Sequence, residues 1–257
     1  MYNDIRKFKS LKFIQLTSVG VDRIPVDYIR KKGIKLFNAQ DAYSVPMAEW
    51  VVLKILEIYK CSKRFYKNQA DKIWEKQRDL LELTDKTVAI IGFGNVGNEV
   101  AKRIKAFNTK IIGVDIRKIR SELLDEFYFV SDIDEVLRKS DIVILTLPLT
   151  DRTKHFINKD RISNMKNKCV LVNVSRGEII DEEALLDAIR NDRFLGVALD
   201  VFEQEPLSKE NPLWDMERVI ITPHNSFISD KIYDRLFKII YNNLQEFIVK
   251  DRCISNE

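Results

Sequence analysis

Short apolar runs, each followed by a stretch whose apolar positions recur every three or four residues, repeat along most of this chain. Continuous apolar runs bounded by turn residues read as strands covered on both faces, and the periodic stretches read as amphipathic helices. From Thr84 onward the pattern predicts strand 87–91, helix 96–107, strand 110–114, a short strand near 127–130, helix 133–138 and strand 142–147. It continues with helix 159–165, strand 169–173, helix 182–191 and strands 196–200 and 219–222. Asp181 stands where an N-cap carboxylate belongs, with Glu182 and Glu183 at the positive end of the following helix. Strands alternating with helices in this way predict an α/β domain built on a doubly wound parallel sheet.

The first eighty residues read differently. Strand 12–16 leads through Thr17-Ser18-Val19-Gly20 to a short helix ending near Gly33, and then to strand 34–37. A long helix starts near Pro46, a residue suited to a first turn because its missing N–H costs nothing there. Its apolar positions (Trp50, Val51, Leu53, Ile55, Leu56, Ile58 and Tyr59) cover more than one stripe. Such a helix is predicted to pack on two sides, once on its own domain and once on a partner, so a homodimer is expected. The last helix, about 229–249, carries Ile232, Leu236, Ile239, Ile240, Leu244, Phe247 and Ile248 at helical spacing, and is expected to cross back to the N-terminal domain. The expected division is therefore a substrate domain of residues 1–80, completed by 228–257, and a nucleotide domain of residues 81–227. Two strands make a poor sheet, so the first domain reads as truncated or as borrowing a neighbour.

Composition narrows the class. The 257 residues are 45% apolar, and 43 basic side chains nearly balance 39 acidic ones, for a net charge of +4. That balance does not argue for nucleic acid, and the run Arg30-Lys31-Lys32 reads as a solvated helix end. Three separated cysteines, Cys61, Cys169 and Cys253, have no metal spacing and fit reduced thiols in a cytoplasmic protein. No apolar run reaches membrane-spanning length, and the N-terminus lacks a signal-peptide core. No metal and no membrane are expected.

Residues 88–97, Val-Ala-Ile-Ile-Gly-Phe-Gly-Asn-Val-Gly, carry the first chemistry. An apolar strand runs directly into Gly92-x-Gly94-x-x-Gly97 and on into a helix. The first glycine allows a tight turn, the second lets a pyrophosphate approach the backbone, and the third lets the helix pack close to the strand. The amides at the helix start, at Asn95 and Val96, then face the anion. A second strand ends in Asp115, about twenty residues on, where a carboxylate accepts hydrogen bonds from the adenine ribose. A dinucleotide is implied, and Asp115 would repel a 2′-phosphate, so NAD is expected over NADP. Arg117, two residues on, could swing to accept such a phosphate.

Three further segments stand at the carboxyl ends of strands, where open α/β sheets place ligands. In Val172-Asn173-Val174-Ser175-Arg176-Gly177, the arginine could hold a carboxylate bidentately. Leu199-Asp200-Val201-Phe202-Glu203-Gln204-Glu205-Pro206 supplies acids, and its pattern alone does not choose between Glu203 and Glu205. Ile221-Thr222-Pro223-His224 supplies one of only two histidines.

Together with Ile142–Thr150, these segments resemble the D-isomer-specific 2-hydroxyacid dehydrogenases, which include D-lactate, D-glycerate and D-3-phosphoglycerate dehydrogenases and glyoxylate/hydroxypyruvate reductases. The resemblance runs from Leu11 to the last helix. It implies a Rossmann NAD domain beside a smaller, truncated flavodoxin-like α/β substrate domain. It also implies hydride transfer between NAD(H) and a small anionic D-2-hydroxy or 2-keto acid. Arg176 matches the family's substrate-binding arginine, His224 its acid/base histidine, and Glu205 the carboxylate that hydrogen-bonds this histidine. Asp200 matches the aspartate near the nicotinamide carboxamide, and Thr146, Leu147 and Pro148 match the loop along the cofactor ribose. Thr153, Val174 and Ser175 complete the implied cofactor contacts. Val19 and Gly20 match the turn whose amides hold the substrate carboxylate. His155 is expected near the cofactor in a structural role.

The chain departs from the family pattern in two places. Asn225-Ser226-Phe227 replaces smaller residues after the histidine, and family members carry a longer N-terminal region that supplies the first strands of the substrate domain. A nucleotide-sensing interaction protein resembling the family's corepressor relatives is the alternative from another class. Formate oxidation on the related fold is disfavoured, because Glu205 stands where a glutamine is usual there.

Overall fold

The computed structural model describes residues 4–21 and 24–254, with side chains described as far as residue 249. They gather into two compact units, which divide at Tyr43/Ser44 and again at Ile228/Ser229. Cys253 lies beyond the described side chains.

The first unit holds β1 (Phe13–Gln15), α1 (Val26–Lys31), β2 (Lys35–Phe37) and the last helix, α8 (Ile232–Ile254). Its two strands pair in parallel, with Phe13 opposite Lys35 and Gln15 opposite Phe37. Helix α1 ends in a Schellman arrangement: Gly33 takes φ +66°, its amide donates to Arg30 O, and the Ile34 amide donates to Ile29 O. Phe13 packs against Phe37 at 5.3 Å and against Phe247 of α8 at 5.1 Å. The Asn243 amide donates to Gln15 Oε1 at 2.8 Å, fixing α8 to the end of β1.

The second unit begins with α2 (Ser44–Tyr59) and α3 (Ser62–Ala70). It continues through β3 (Thr87–Ile91), α4 (Asn95–Ile104), β4 (Lys110–Asp115), β5 (Glu126–Phe129), α5 (Ile133–Lys139) and β6 (Ile142–Leu145). The remaining elements are α6 (Lys159–Asn164), β7 (Cys169–Asn173), α7 (Glu182–Arg190), β8 (Phe194–Leu199) and β9 (Val219–Ile221). Seven strands form one parallel sheet in the order β5-β4-β3-β6-β7-β8-β9, a doubly wound Rossmann arrangement whose direction reverses between β3 and β6. Alternate residues serve opposite faces. Val88, Ile90, Ile144 and Val172 join one core, while Ala89, Ile91, Val143 and Leu171 join the other. Burial on both faces is why these strands read as unbroken apolar runs. Asp181 caps α7 by accepting the Ala184 amide at 3.1 Å. No helix among the described residues is long and apolar enough to cross a membrane.

Helix α2 groups with the nucleotide unit, whereas the sequence pattern assigned it to the first eighty residues. Its Ala48, Val51, Ile55 and Tyr59 share a core with Val88, Ile90 and Ile144. Gly196 of β8 faces Ile58 so closely that a β-carbon there would fall 2.6 Å from Ile58 Cγ2. The apolar excess of α2 therefore covers α4 and the sheet, and of its large apolar side chains only Leu53 is exposed. Helix α3, not anticipated, follows Cys61 in a left-handed turn with φ 52°.

Candidate functional site

The glycine turn stands at the point where the sheet reverses direction. Gly92 takes φ +91°, and a β-carbon there would lie 2.8 Å from the Leu147 backbone, so no other residue fits. A β-carbon on Gly94 would meet nothing within 4 Å, which leaves open space in front of the α4 terminus. Gly97 sits so close to the strand that a β-carbon would lie 2.8 Å from Gly92 O. The α4 amides of Asn95, Val96 and Gly97 have no acceptor one turn back, as in any helix start, and can receive an anion. From the neighbouring strand, Thr146 donates its hydroxyl to Gly92 O at 2.6 Å and fixes the far wall of the turn.

Asp115 ends β4 almost fully buried, and its Oδ1 accepts the Arg117 amide at 3.0 Å. The Arg117 side chain lies 3.6 Å from the same oxygen and is otherwise exposed. Thr153 donates its hydroxyl to Pro148 O at 2.7 Å and accepts the Thr150 amide, folding the loop after β6 onto itself. Val174 and Ser175 are buried, and Ser175 Oγ has no hydrogen-bond partner among the described residues. An open phosphate approach, a carboxylate at the next strand end and an orphaned hydroxyl beyond β7 fit a dinucleotide lying across the strand ends.

The three residues assigned to chemistry all belong to the second unit. Asn173 shapes the first of their segments: its Oδ1 accepts the Ser175 amide and its Nδ2 donates to Arg176 O, both at 2.9 Å. Arg176 donates from one guanidinium nitrogen to Ser175 O at 2.7 Å. Behind it, Gly177 lies against the Phe202–Glu203 backbone, where a β-carbon would fall only 1.8 Å from Phe202 C. Only a glycine lets the arginine segment and the acidic loop approach so closely.

Glu205 Oε2 lies 2.8 Å from His224 Nδ1, while Glu205 Oε1 accepts the Phe202 amide at 3.2 Å. A carboxylate only accepts, so Nδ1 carries the proton and Nε2 is the imidazole nitrogen left to exchange one. The choice the sequence left open is thereby resolved: Glu205 faces His224, and Glu203 faces His155 at 2.9 Å. His224 adopts the left-handed region with φ 49°, and its amide donates to Asp200 O at 2.7 Å. The Phe227 ring meets the imidazole edge-to-face at 5.9 Å.

Asp200 holds this turn. Fully buried, it receives the Thr222 hydroxyl at 2.5 Å, the Asn225 amide at 2.8 Å and the Ser226 amide at 2.9 Å. The resemblance placed Asp200 near the nicotinamide carboxamide; in the structure its carboxylate also holds the loop that carries His224. Neither this role nor that of Asn173 was read from the sequence. An asparagine closing an apolar strand just before a turn was the available signal for Asn173.

Val19 and Gly20 lie in the first unit, in the turn after β1. Asn38 Nδ2 donates to Val19 O at 2.9 Å and Ser18 Oγ donates to Gly20 O at 3.0 Å. The carbonyls are thus engaged, while the amides of Val19 and Gly20 have no acceptor among the described residues.

Residues 52–226 match the model of the D-isomer specific 2-hydroxyacid dehydrogenase, NAD binding domain. D-3-phosphoglycerate dehydrogenase of Methanocaldococcus jannaschii is 35% identical over 264 residues, covering 98% of this chain and 50% of that protein. Hydroxypyruvate reductase of Thermotoga maritima is 38% identical over 219 residues, covering 84% of this chain and 71% of that protein. The chain therefore spans half the length of the first of these relatives. Among solved structures, D-lactate dehydrogenase from Aquifex aeolicus, complexed with NAD and lactic acid, superposes with a TM-score of 0.84 at 32% identity, over 96% of this chain and 79% of that one. With the glycine turn, the buried aspartate and the histidine–glutamate pair in place, this chain belongs to the D-isomer-specific 2-hydroxyacid dehydrogenase family.

Proposed function

We propose that the chain is an NAD-dependent oxidoreductase that interconverts a small 2-keto acid and its D-2-hydroxyacid. The observation that carries this reading is the His224–Glu205 contact, made on a turn fixed by a buried aspartate. Bound at the glycine turn, NADH would supply the hydride, and NAD⁺ would accept it in the reverse direction. His224 Nε2 donates a proton to the substrate carbonyl oxygen during reduction and takes it back during oxidation. Glu205 keeps the Nδ1 proton in place and stabilises the imidazolium that precedes donation. Arg176 holds the substrate carboxylate and polarises the adjacent carbonyl through its planar fork. The amides of Val19 and Gly20 supply a second hold on the carboxylate. Asp115 favours NAD over NADP, because a 2′-phosphate would meet a buried carboxylate there.

The substrate class is a small anionic 2-keto acid such as glyoxylate, pyruvate, hydroxypyruvate or phosphohydroxypyruvate. A homodimer is part of the proposal. Since α2 is largely covered, its support now comes from Leu53, Tyr66, Ile73 and Trp74, which leave apolar surface exposed along residues 53–74. A cytoplasmic location accords with the free thiols of Cys61 and Cys169. A spectrophotometric screen of NADH oxidation with these four acids tests the activity. Turnover of at least one is expected, and turnover of none would remove the reading.

A further inference from the structure

The chain has two histidines, and each faces a glutamate of the same short loop. His224 Nδ1 meets Glu205 Oε2 at 2.8 Å, and His155 Nε2 meets Glu203 Oε1 at 2.9 Å. Residues 203–206 are all exposed, so no buried side chain of their own fixes them. What precedes them is firmly held. Phe202 is buried, and its carbonyl carbon rests on Gly177. Glu203 Oε1 also accepts the Glu182 amide at 3.3 Å, at the start of α7.

His155 is itself anchored. Its backbone is left-handed, and its amide donates to Glu178 O at 2.7 Å. Two residues on, the Ile157 amide donates to Ile179 O at 2.9 Å, and the Asp181 amide returns to Ile157 O at 3.0 Å. The imidazole of His155 is therefore carried on a turn stapled to the segment that follows Gly177. It grips the acidic loop two residues before Glu205.

We propose that His155 and Glu203 form a positioning pair that holds the Glu205 carboxylate against His224. The inference rests on the reading of His224 and Glu205 as the acid–base pair. Glu205 must keep two bonds at once, Phe202 N–H to Oε1 and His224 Nδ1–H to Oε2. A loop drift of about 1 Å is enough to break such an arrangement and release the tautomer of His224. The pair is itself half-exposed, and exposed ion pairs contribute little to global stability, so removing it should leave the fold intact. Its effect is local, exerted through Glu205.

The test uses the full chain with ¹⁵N-labelled histidine, in which two imidazoles give two resolvable sets of signals. Solvent exchange of the His224 Nδ1 proton is followed in the wild type and in His155→Ala, Glu203→Ala, His155→Gln and Glu205→Gln. His155→Ala and Glu203→Ala should each speed that exchange by about tenfold, the scale of one weakened hydrogen bond. His155→Gln, which keeps a donor toward Glu203, should restore most of the protection. In turnover assays His155→Ala should lower kcat several-fold with the KM for NADH unchanged, and should cause no further loss when added to Glu205→Gln. Unchanged Nδ1 exchange in His155→Ala, alongside faster exchange in Glu205→Gln, would overturn the proposal. Absence of 2-keto acid turnover in the wild type would instead count against the proposed reaction, and the exchange measurement would still decide the positioning role.

Discussion

The two units of this chain solve the problem of building a sheet in opposite ways. In the nucleotide unit, the inner strands of a seven-stranded parallel sheet are covered on both faces, and side chains such as Ile90, Ile144 and Val172 are fully buried. In the first unit, two strands of three residues each carry only partly buried or exposed side chains. Its helix α8 leaves Tyr233, Phe237 and Tyr241 exposed. Catalytic geometry needs side chains held within fractions of an ångström, and such precision comes from rigid elements. Arg176, Glu205 and His224 all stand on the first kind of scaffold, whereas the proposed substrate amides of Val19 and Gly20 stand on the second. The proposed acid–base residues thus stand on the unit with the deeper core, and the proposed substrate amides on the thinner one.

That contrast breaks most visibly in kinetics. His224→Ala should lower kcat by about a hundredfold or more, the usual scale for a lost general acid/base, while NADH affinity measured by fluorescence titration stays near the wild-type value. Gly20→Pro removes one amide from the other unit without touching the acid–base pair. Its effect should be smaller and different in kind, a rise in KM for the keto acid of about tenfold with kcat little changed. A kcat loss in Gly20→Pro as large as that of His224→Ala would erase the proposed division of labour.

Rigidity of the nucleotide unit can be probed through its thiols. Burial pushes the Cys169 thiol up to about 12, whereas Cys61 is only partly buried. Iodoacetamide at mildly alkaline pH should therefore label Cys61 in the native protein and leave Cys169 unmodified, as read by peptide mass spectrometry. Comparable labelling of both would mean that β7 opens on the experimental timescale.

The smallest effect concerns the sheet edge. Hydrogen bonds from Lys110, then from Lys139 and Tyr128, lower the Glu126 carboxyl from its ordinary 4.5 to about 2. A carboxylate depressed in the folded state stabilises above its ordinary pKa, and that contribution is lost as pH falls toward the folded value. Glu126→Gln should therefore lower Tm slightly near neutral pH. The gap from wild type should close as pH drops through the window between 4.5 and about 2. A gap independent of pH would show that these lysines do not act through the ionised carboxyl.

Much of the nucleotide unit was legible because its signals are local. Strands buried on both faces announce themselves as apolar runs, and the Gly92-x-Gly94-x-x-Gly97 spacing is short and continuous, although the neighbour that makes Gly92 necessary, Leu147, is distant in sequence. The membership of α2 was not legible, because helical periodicity shows how much of a helix is buried and not what buries it. Helix α3 was missed because Ser62–Ala70 is polar overall and the side chain it buries is that of Asn68 rather than an apolar one. At the candidate site the sequence named residues but not the network that joins them. Asp200 and its donors at Thr222, Asn225 and Ser226 lie on different segments, and nothing in either segment says that they meet. The pairing of Glu203 with His155 rather than His224 likewise depends on the Gly177 contact, which joins segments distant in sequence.

The most direct test of the account follows the hydride itself. The protein is incubated with NADH deuterated at the transferable position of the nicotinamide and with whichever of pyruvate, hydroxypyruvate and phosphohydroxypyruvate it turns over, and the hydroxyacid formed is analysed by mass spectrometry and chiral chromatography. The expected product is the D-hydroxyacid carrying one deuterium at the former carbonyl carbon, formed by the wild type and about a hundredfold more slowly, or not at all, by His224→Ala. The L-hydroxyacid, or a hydroxyacid without deuterium, would contradict the reading.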